Sequence, residues 1–316
     1  MTNKLLPFLY LVLTFLTGGY TIAQSDKVIS LVKGKKEINS LCFSNGGTQL
    51  IFNEGNKIYY ENVTDQSQIA IFNGGHNKKI LSVDLSSDSS KIVTGGQDSI
   101  IILWDHYGKI IKKLNFHRGI VTAVKFDPKG NYIYSGSTDR RIVCYSIPGD
   151  SIVYDFEVFK DDILSIDISR DGKLLALGGA KGEAKVLDSR NGQIIMNIKS
   201  PDWVRCVRFN NNSSLLAICC DNGAIYLWKT SNPQDIRIGI KHKLTNDWIT
   251  SMDFFPDNES FSYASENGII GISILGNVSK YRLKVPVLMI RNRPGLSYLI
   301  DVAVATFGQG IKLIKG

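Results

Sequence analysis

Two groups of residues have the types that catalysis uses. His76, Thr94 and Asp98 bring an imidazole, a hydroxyl and a carboxylate, and His117, Ser135 and Asp139 bring the same three. A hydroxyl beside a histidine that an acid holds in place is how many hydrolases make a nucleophile. The spacing argues against that use here, because each member of the second set lies 41 residues after its counterpart. Catalysis needs one such set; a repeated structural unit needs one in every copy. Both sets are therefore read as structural braces.

Other reaction chemistry is sparse. The chain has no G-x-S-x-G turn, no H-E-x-x-H, no Walker loop and no G-x-G-x-x-G after a strand. Its 4 histidines (76, 106, 117 and 242) leave little for metal or acid–base work once two serve the braces. The turns at 169–172 and 188–192 contain acids but too few ligands for calcium. The 5 cysteines (Cys42, Cys144, Cys206, Cys219 and Cys220) form neither paired C-x-x-C halves nor an even framework. One bridge from Cys206 to Cys219 or Cys220 stays open for an oxidising compartment. No catalytic residue, no cofactor and no metal site is expected, and the chain is read as not being an enzyme.

The elements that carry these residues repeat. An apolar-x-apolar segment followed by a polar turn recurs with its second apolar residue at Phe43, Leu85, Phe126, Ile168, Phe209, Phe254 and Ile290. The steps are 42, 41, 42, 41, 45 and 36 residues. Each copy continues with a second apolar strand (Lys91–Thr94, Tyr132–Ser135, Leu174–Leu177, Leu215–Ile218), a tight Gly or Asp turn and a third strand such as Ile100–Trp104 or Ala224–Trp228. Period-2 alternation between evenly spaced turns predicts an all-β chain. A four-stranded unit every 40–45 residues is the period of a propeller blade. Seven landmarks predict seven four-stranded antiparallel blades. The last copy runs out after Ile311–Ile314, and Lys27–Val32 is a strand without a blade, so residues 27–33 are expected to close the ring beside 311–315.

The unit Gly75-His76 through Asp98 to Trp104-Asp105 resembles the WD-repeat propellers, with their Gly-His and Trp-Asp dipeptides. The resemblance implies a buried side-chain tetrad of His76, Thr94, Asp98 and Trp104. The next unit offers His117, Ser135, Asp139 and Tyr145 in the Trp place. The fifth keeps Trp228 but has Ile218 for the hydroxyl and Asn222 for the Asp; the fourth has Lys181 and Leu187 at the Asp and Trp positions. Family membership implies a non-catalytic interaction platform in a larger assembly, its partner a protein or peptide. Residues entering the first strand of each blade line one face of such propellers, which places Glu37, Lys79, Ile120, Asp162, Trp203, Trp248 and Lys284 on a rim. Trp203 and Trp248 share an Asp-Trp-Val/Ile setting, and Arg205 lies two residues on. Aromatics and Arg at a rim are typical binding anchors. The partner-binding rim is thus expected at Trp203, Arg205, Trp248, Lys79, Asp162 and Glu37. The alternative is an exported propeller enzyme or small-ligand binder using the central channel. It requires acids or histidines converging on the axis, where inner-strand positions read as apolar or small.

The first residues differ in kind. Lys4 precedes an apolar run from Leu5 to Leu16, and Thr21-Ile22-Ala23 has the small residues of a cleavage site. Residues 1–23 read as a secretory signal peptide and 24–316 as a single propeller domain, exported to the periplasm or outside the cell without stable membrane insertion. The net charge of +8 is scattered among acids. Nucleic-acid binding calls for a basic stripe with stacking aromatics, so no nucleic-acid partner is expected. The propeller is expected to be monomeric within its complex.

Overall fold

In a computed structural model of the 316-residue chain, residues 8–14, 27–34, 38–44, 46–62, 67–231, 240–267, 269–274, 277–282, 287–292, 299–304 and 314–315 are described. The chain is all-β, with one short 3-10 turn at Ala180–Gly182 among the described residues. Six blades follow one another along it. Strands Leu41–Phe43, Gln49–Glu54, Lys57–Asn62 and Gln68–Phe72 form blade 1 as an antiparallel meander. Blades 2 to 6 repeat that order over residues 80–114, 121–157, 163–199, 204–243 and 249–282.

The expected seven repeated blades are corrected to six. The landmark at Ile290 does not open a further blade of consecutive strands. Val287–Asn292 and Leu299–Val304 instead join a composite sheet with Phe8–Thr14 and Lys27–Gly34 from the other end of the chain. The expected closure also fails in detail. Among the described residues Lys27–Gly34 pairs with Phe8–Thr14 alone, and Ile314–Lys315 pairs with the outer strand of blade 6, Asn277–Arg282. A strand edge accepts any neighbour offering amides in register, so pattern alone does not choose its partner.

The core lies between blades rather than within them. Ile92, Ile102 and Trp104 of blade 2 pack with Ile51, Ile58 and Phe72 of blade 1. On its other side Val93, Ile101 and Leu103 meet Val121, Val124 and Phe126 of blade 3. Period-2 alternation thus gives every blade two apolar faces, each covered by a neighbour. At three of the interfaces close approach needs a bare backbone. A Cβ on Gly95 would run into Val121 and Val124, one on Gly136 into Ile163 and Ile166, and one on Gly178 into Val204 and Val207. No helix among the described residues is long and apolar enough to cross a membrane.

Candidate functional site

The brace of blade 2 is a single relay. The Trp104 indole N–H donates to Thr94 Oγ at 2.9 Å, Thr94 Oγ lies 2.8 Å from His76 Nε2, and His76 Nδ1 lies 2.9 Å from Asp98. The order is satisfied by one tautomer, in which Thr94 donates to Nε2 and Nδ1–H donates to the carboxylate. Burial lowers the His76 pKa, and Asp98 only partly offsets it, so His76 is neutral and its contact with Asp98 is a hydrogen bond rather than an ion pair. Gly75 is glycine for a steric reason: a Cβ there would overlap the Trp104 ring.

Blade 3 repeats the relay as far as its hydroxyl. His117 Nε2 meets Ser135 Oγ at 2.8 Å and Nδ1 meets Asp139 at 3.0 Å. Tyr145 does not complete it. Its hydroxyl donates to Asp150, because a phenol reaches past the point where an indole N–H ends. In blade 5 the buried Trp228 indole N–H has no partner among the described residues. Blade 4 replaces the relay with apolar packing, burying Phe159, Leu177 and Leu187 in one cluster.

A second polar system was missed in the sequence. The x of the apolar-x-apolar segments was given no role from the sequence, but at Asp84, Lys125 and Arg208 it lines the inner cavity. From blade 2 to blade 6 these residues are Asp84, Lys125, Asp167, Arg208 and Asp253, alternating in sign. Asp84 takes the Lys125 ammonium at 2.9 Å and the Phe126 amide at 2.9 Å. Asp167 takes Arg208 at 3.1 Å and the Phe209 amide at 2.8 Å. Arg208 also lies 3.9 Å from Asp253. Asp84 and Asp167 therefore each clasp the blade after their own, while Asp253 reaches back to the blade before it. Ser40, Ser82 and Ser165 add hydroxyls that accept the amides of Val83, Val124 and Val207 of the next blade. Burial alone would lower the Lys125 pKa, but Asp84 and Asp167 outweigh it and keep it raised. The inner strands line a cavity of about 210 Å³. Its lining carries charges and hydroxyls beside the apolar or small residues expected there, and Asp84 and Asp167 are spent on blade-to-blade bonds. The signal that would have revealed it is the alternation of sign at a fixed place in the repeat.

The rim residues fall at equivalent places. The carbonyls of Lys79, Ile120, Asp162, Trp203 and Trp248 each accept the amide lying 18 residues later, from Gln97, Thr138, Ala180, Asp221 and Glu266. Equivalent positions in successive blades share one face of the ring. Glu37 and Lys284 lie outside the described residues. Lys79 is exposed and Asp162 half-buried, each in its own sector of the rim. Trp203 and Trp248 are brought together, 41% and 42% exposed. The Arg205 guanidinium lies between them, 5.6 Å from the Trp203 ring and 4.4 Å from the Trp248 ring. Asp221 fixes it by two bonds of 2.5 and 2.9 Å. Burial pushes the Asp221 pKa up, Arg205 opposes this, and Asp202 and Asp247 add to it. Cation–π stacking and a bidentate carboxylate hold the three side chains in one geometry, which lowers the entropy lost on binding. Below the rim, Cys206 lies directly opposite Cys219 in register, and the two are not disulfide-bonded.

Among the described residues, no group of three or more His, Cys, Asp or Glu is placed to hold a metal ion. Residues 37–276 match the family described as IFT122 first beta-propeller. The match starts just before blade 1 and stops short of the last strand of blade 6, so it takes in nearly all of the six consecutive blades and leaves out the composite sheet. The chain is similar to the guanine nucleotide-binding protein subunit beta of Oryza sativa subsp. japonica, 26% identical over 209 residues, covering 60% of this chain and 55% of that protein. It is similar to the Polycomb protein esc of Drosophila virilis, 25% identical over 263 residues, covering 66% of this chain and 61% of that one. It is 30% identical over 98 residues to the F-box-like/WD repeat-containing protein TBL1X of Mus musculus, covering 30% of this chain and 19% of that one. The chain thus spans less than two thirds of each of these relatives. Such WD-repeat propellers are non-enzymatic and typically act as protein-interaction scaffolds. With more than half its length matched, the chain belongs to the IFT122 first beta-propeller family of WD-repeat propellers.

Proposed function

We propose that this propeller is a non-catalytic scaffold that docks a protein or peptide partner on the rim formed by Trp203, Arg205 and Trp248, outside the cytoplasm and within a larger assembly. One observation carries the reading: two half-exposed indoles from adjacent blades are locked in place by a guanidinium between them. Large aromatic surface in a pre-set geometry is what binding hot spots are made of. The braces and the axial belt are committed to holding blades together, whereas at the rim two indoles meet solvent in an arrangement fixed by Arg205. Export rests on the leader, Lys4 through Ala23, and cleavage there would remove the Phe8–Thr14 strand.

The test is purification of the tagged protein from its host, with the N-terminus sequenced and co-purifying proteins identified. Trp203→Ala and Trp248→Ala are expected to lose the specific partner while melting as the parent does, and the N-terminus is expected at Gln24. A partner retained by both variants overturns the rim; an N-terminus at Met1 overturns the export.

A further inference from the structure

We infer that the partner of this rim presents a basic segment, Lys or Arg side chains interleaved with apolar ones, to Trp203 and Trp248. The inference rests on the scaffold reading above and adds the chemistry of the partner.

Charge around the two indoles runs against the charge of the chain. The protein carries +8 overall. Yet the loops that bear the indoles, 200–203 and 244–248, and the turns behind them, 221–223 and 266–267, contain Asp202, Asp221, Asp247 and Glu266 and no Lys or Arg. Arg205, two residues past Trp203, lies between the two indoles, and Asp221 neutralises it. Asp202 and Asp247 each accept the amide of the following Trp at 2.8 Å, and neither has an ion pair among the described residues. Two carboxylates are therefore held rigidly, one beside each exposed indole, with no cation of their own. The opposite sector of the rim, in blades 2 and 3, is basic, with Lys78, Lys79 and Arg118.

The indoles already show which charge they accept. Both rings stack on a guanidinium, so their π faces are directed at a cation, and about two fifths of each side chain stays open to solvent. An incoming Lys or Arg would find an aromatic surface and an unpaired carboxylate together at each Trp. Ring and carboxylate attract the same charge, and desolvation by the indoles strengthens the carboxylate's pull. Apolar neighbours in the partner would cover the ring edges. An acidic partner, or the phosphates of a nucleic acid, would meet a net negative surface.

Labelled peptides of Arg and Leu, and counterparts with every Arg replaced by Glu, test this on the full chain by fluorescence anisotropy. The Arg peptide is expected to bind and the Glu peptide not to. The Asp202→Asn/Asp247→Asn variant, which keeps both amide acceptors, is expected to weaken the Arg peptide by about tenfold or more. Added salt should weaken the parent and leave that variant nearly unchanged. Asp202→Glu/Asp247→Glu should restore binding, which separates charge from fold. Equal binding of the Glu peptide, unchanged binding by the Asn variant, or no binding of either peptide overturns the inference. The scaffold reading is judged separately, by whether Trp203→Ala and Trp248→Ala lose the co-purified partner.

Discussion

Trp228 keeps its indole N–H inside blade 5 with no acceptor among the described residues, because Ile218 stands where blade 2 has Thr94. The strand register is the same in both blades: Leu216 sits opposite Trp228 as Ile92 sits opposite Trp104. A hydroxyl at 218 would therefore arrive where Thr94 meets Trp104, at 2.9 Å in blade 2. An orphaned buried donor costs on the order of 1–3 kcal/mol. Exchanging Val for Thr in a core normally destabilises, since the shapes match but the hydroxyl is buried. Here the order is expected to invert, with Ile218→Thr more stable than Ile218→Val by about 1 kcal/mol in urea unfolding. The usual order, Val above Thr, would show that the indole is not served from this position. The two relays were legible because their residue types are rare and their spacing repeats. The failure of Tyr145 to join was not, because the reach of a phenol depends on a hydroxyl position that only the packed blade defines.

At the scale of the strand, the first strands of blades 2 and 4 each do two jobs at one residue, Asp84 and Asp167. Asp167 ties blade 4 to blade 5 through both the Arg208 side chain and the Phe209 amide. Arg208 is 8% exposed, so it is held among carboxylates with little water to replace them. Removing one member of a buried pair strands the other, at a cost of about 3–5 kcal/mol. Arg208→Met is expected to fall in that range. Asp167→Asn added to it is expected to recover at least about 1 kcal/mol, because Asn still accepts the Phe209 amide without its charge. Strict additivity in that double-mutant cycle would show the two side chains to be independent. The apolar-x-apolar rhythm placed these strands within a residue or two, but it gave x no role. A strand at the edge of a closed ring has no solvent side: its outward face meets the axis, where charge is tolerated only if neighbouring blades alternate in sign.

For the whole molecule, the repeat was legible for as long as its steps held at 41 to 45 residues, through Phe254, and those are the six blades that fold from consecutive strands. The step of 36 to Ile290 marked where that rule ended. How the remaining strands pair was not readable, since hydrogen-bond register across distant segments leaves no local pattern. A ring sealed between blades should respond as a unit to loss of any brace, and acid offers a way to strain two at once. Burial lowers the pKa of His76 and of His117, each against partial opposition from its aspartate. In the unfolded chain both return to about 6.5. Below that pH the unfolded state binds more protons than the folded one, so stability falls as pH falls. Asp98 and Asp139 act in the same direction lower down. Burial alone would raise them, but hydrogen bonds from the histidines and from backbone amides hold both below the ordinary carboxylate range. Their contribution is lost as pH drops below about 4. Between pH 7.5 and 5.5 the parent is therefore expected to lose stability with a slope approaching about 1.4 kcal/mol per pH unit for each histidine. His76→Gln/His117→Gln should start less stable at pH 7.5 and run nearly flat over the same interval. Melting curves at matched ionic strength decide it: a double variant as steep as the parent would place the acid-labile groups elsewhere in the ring.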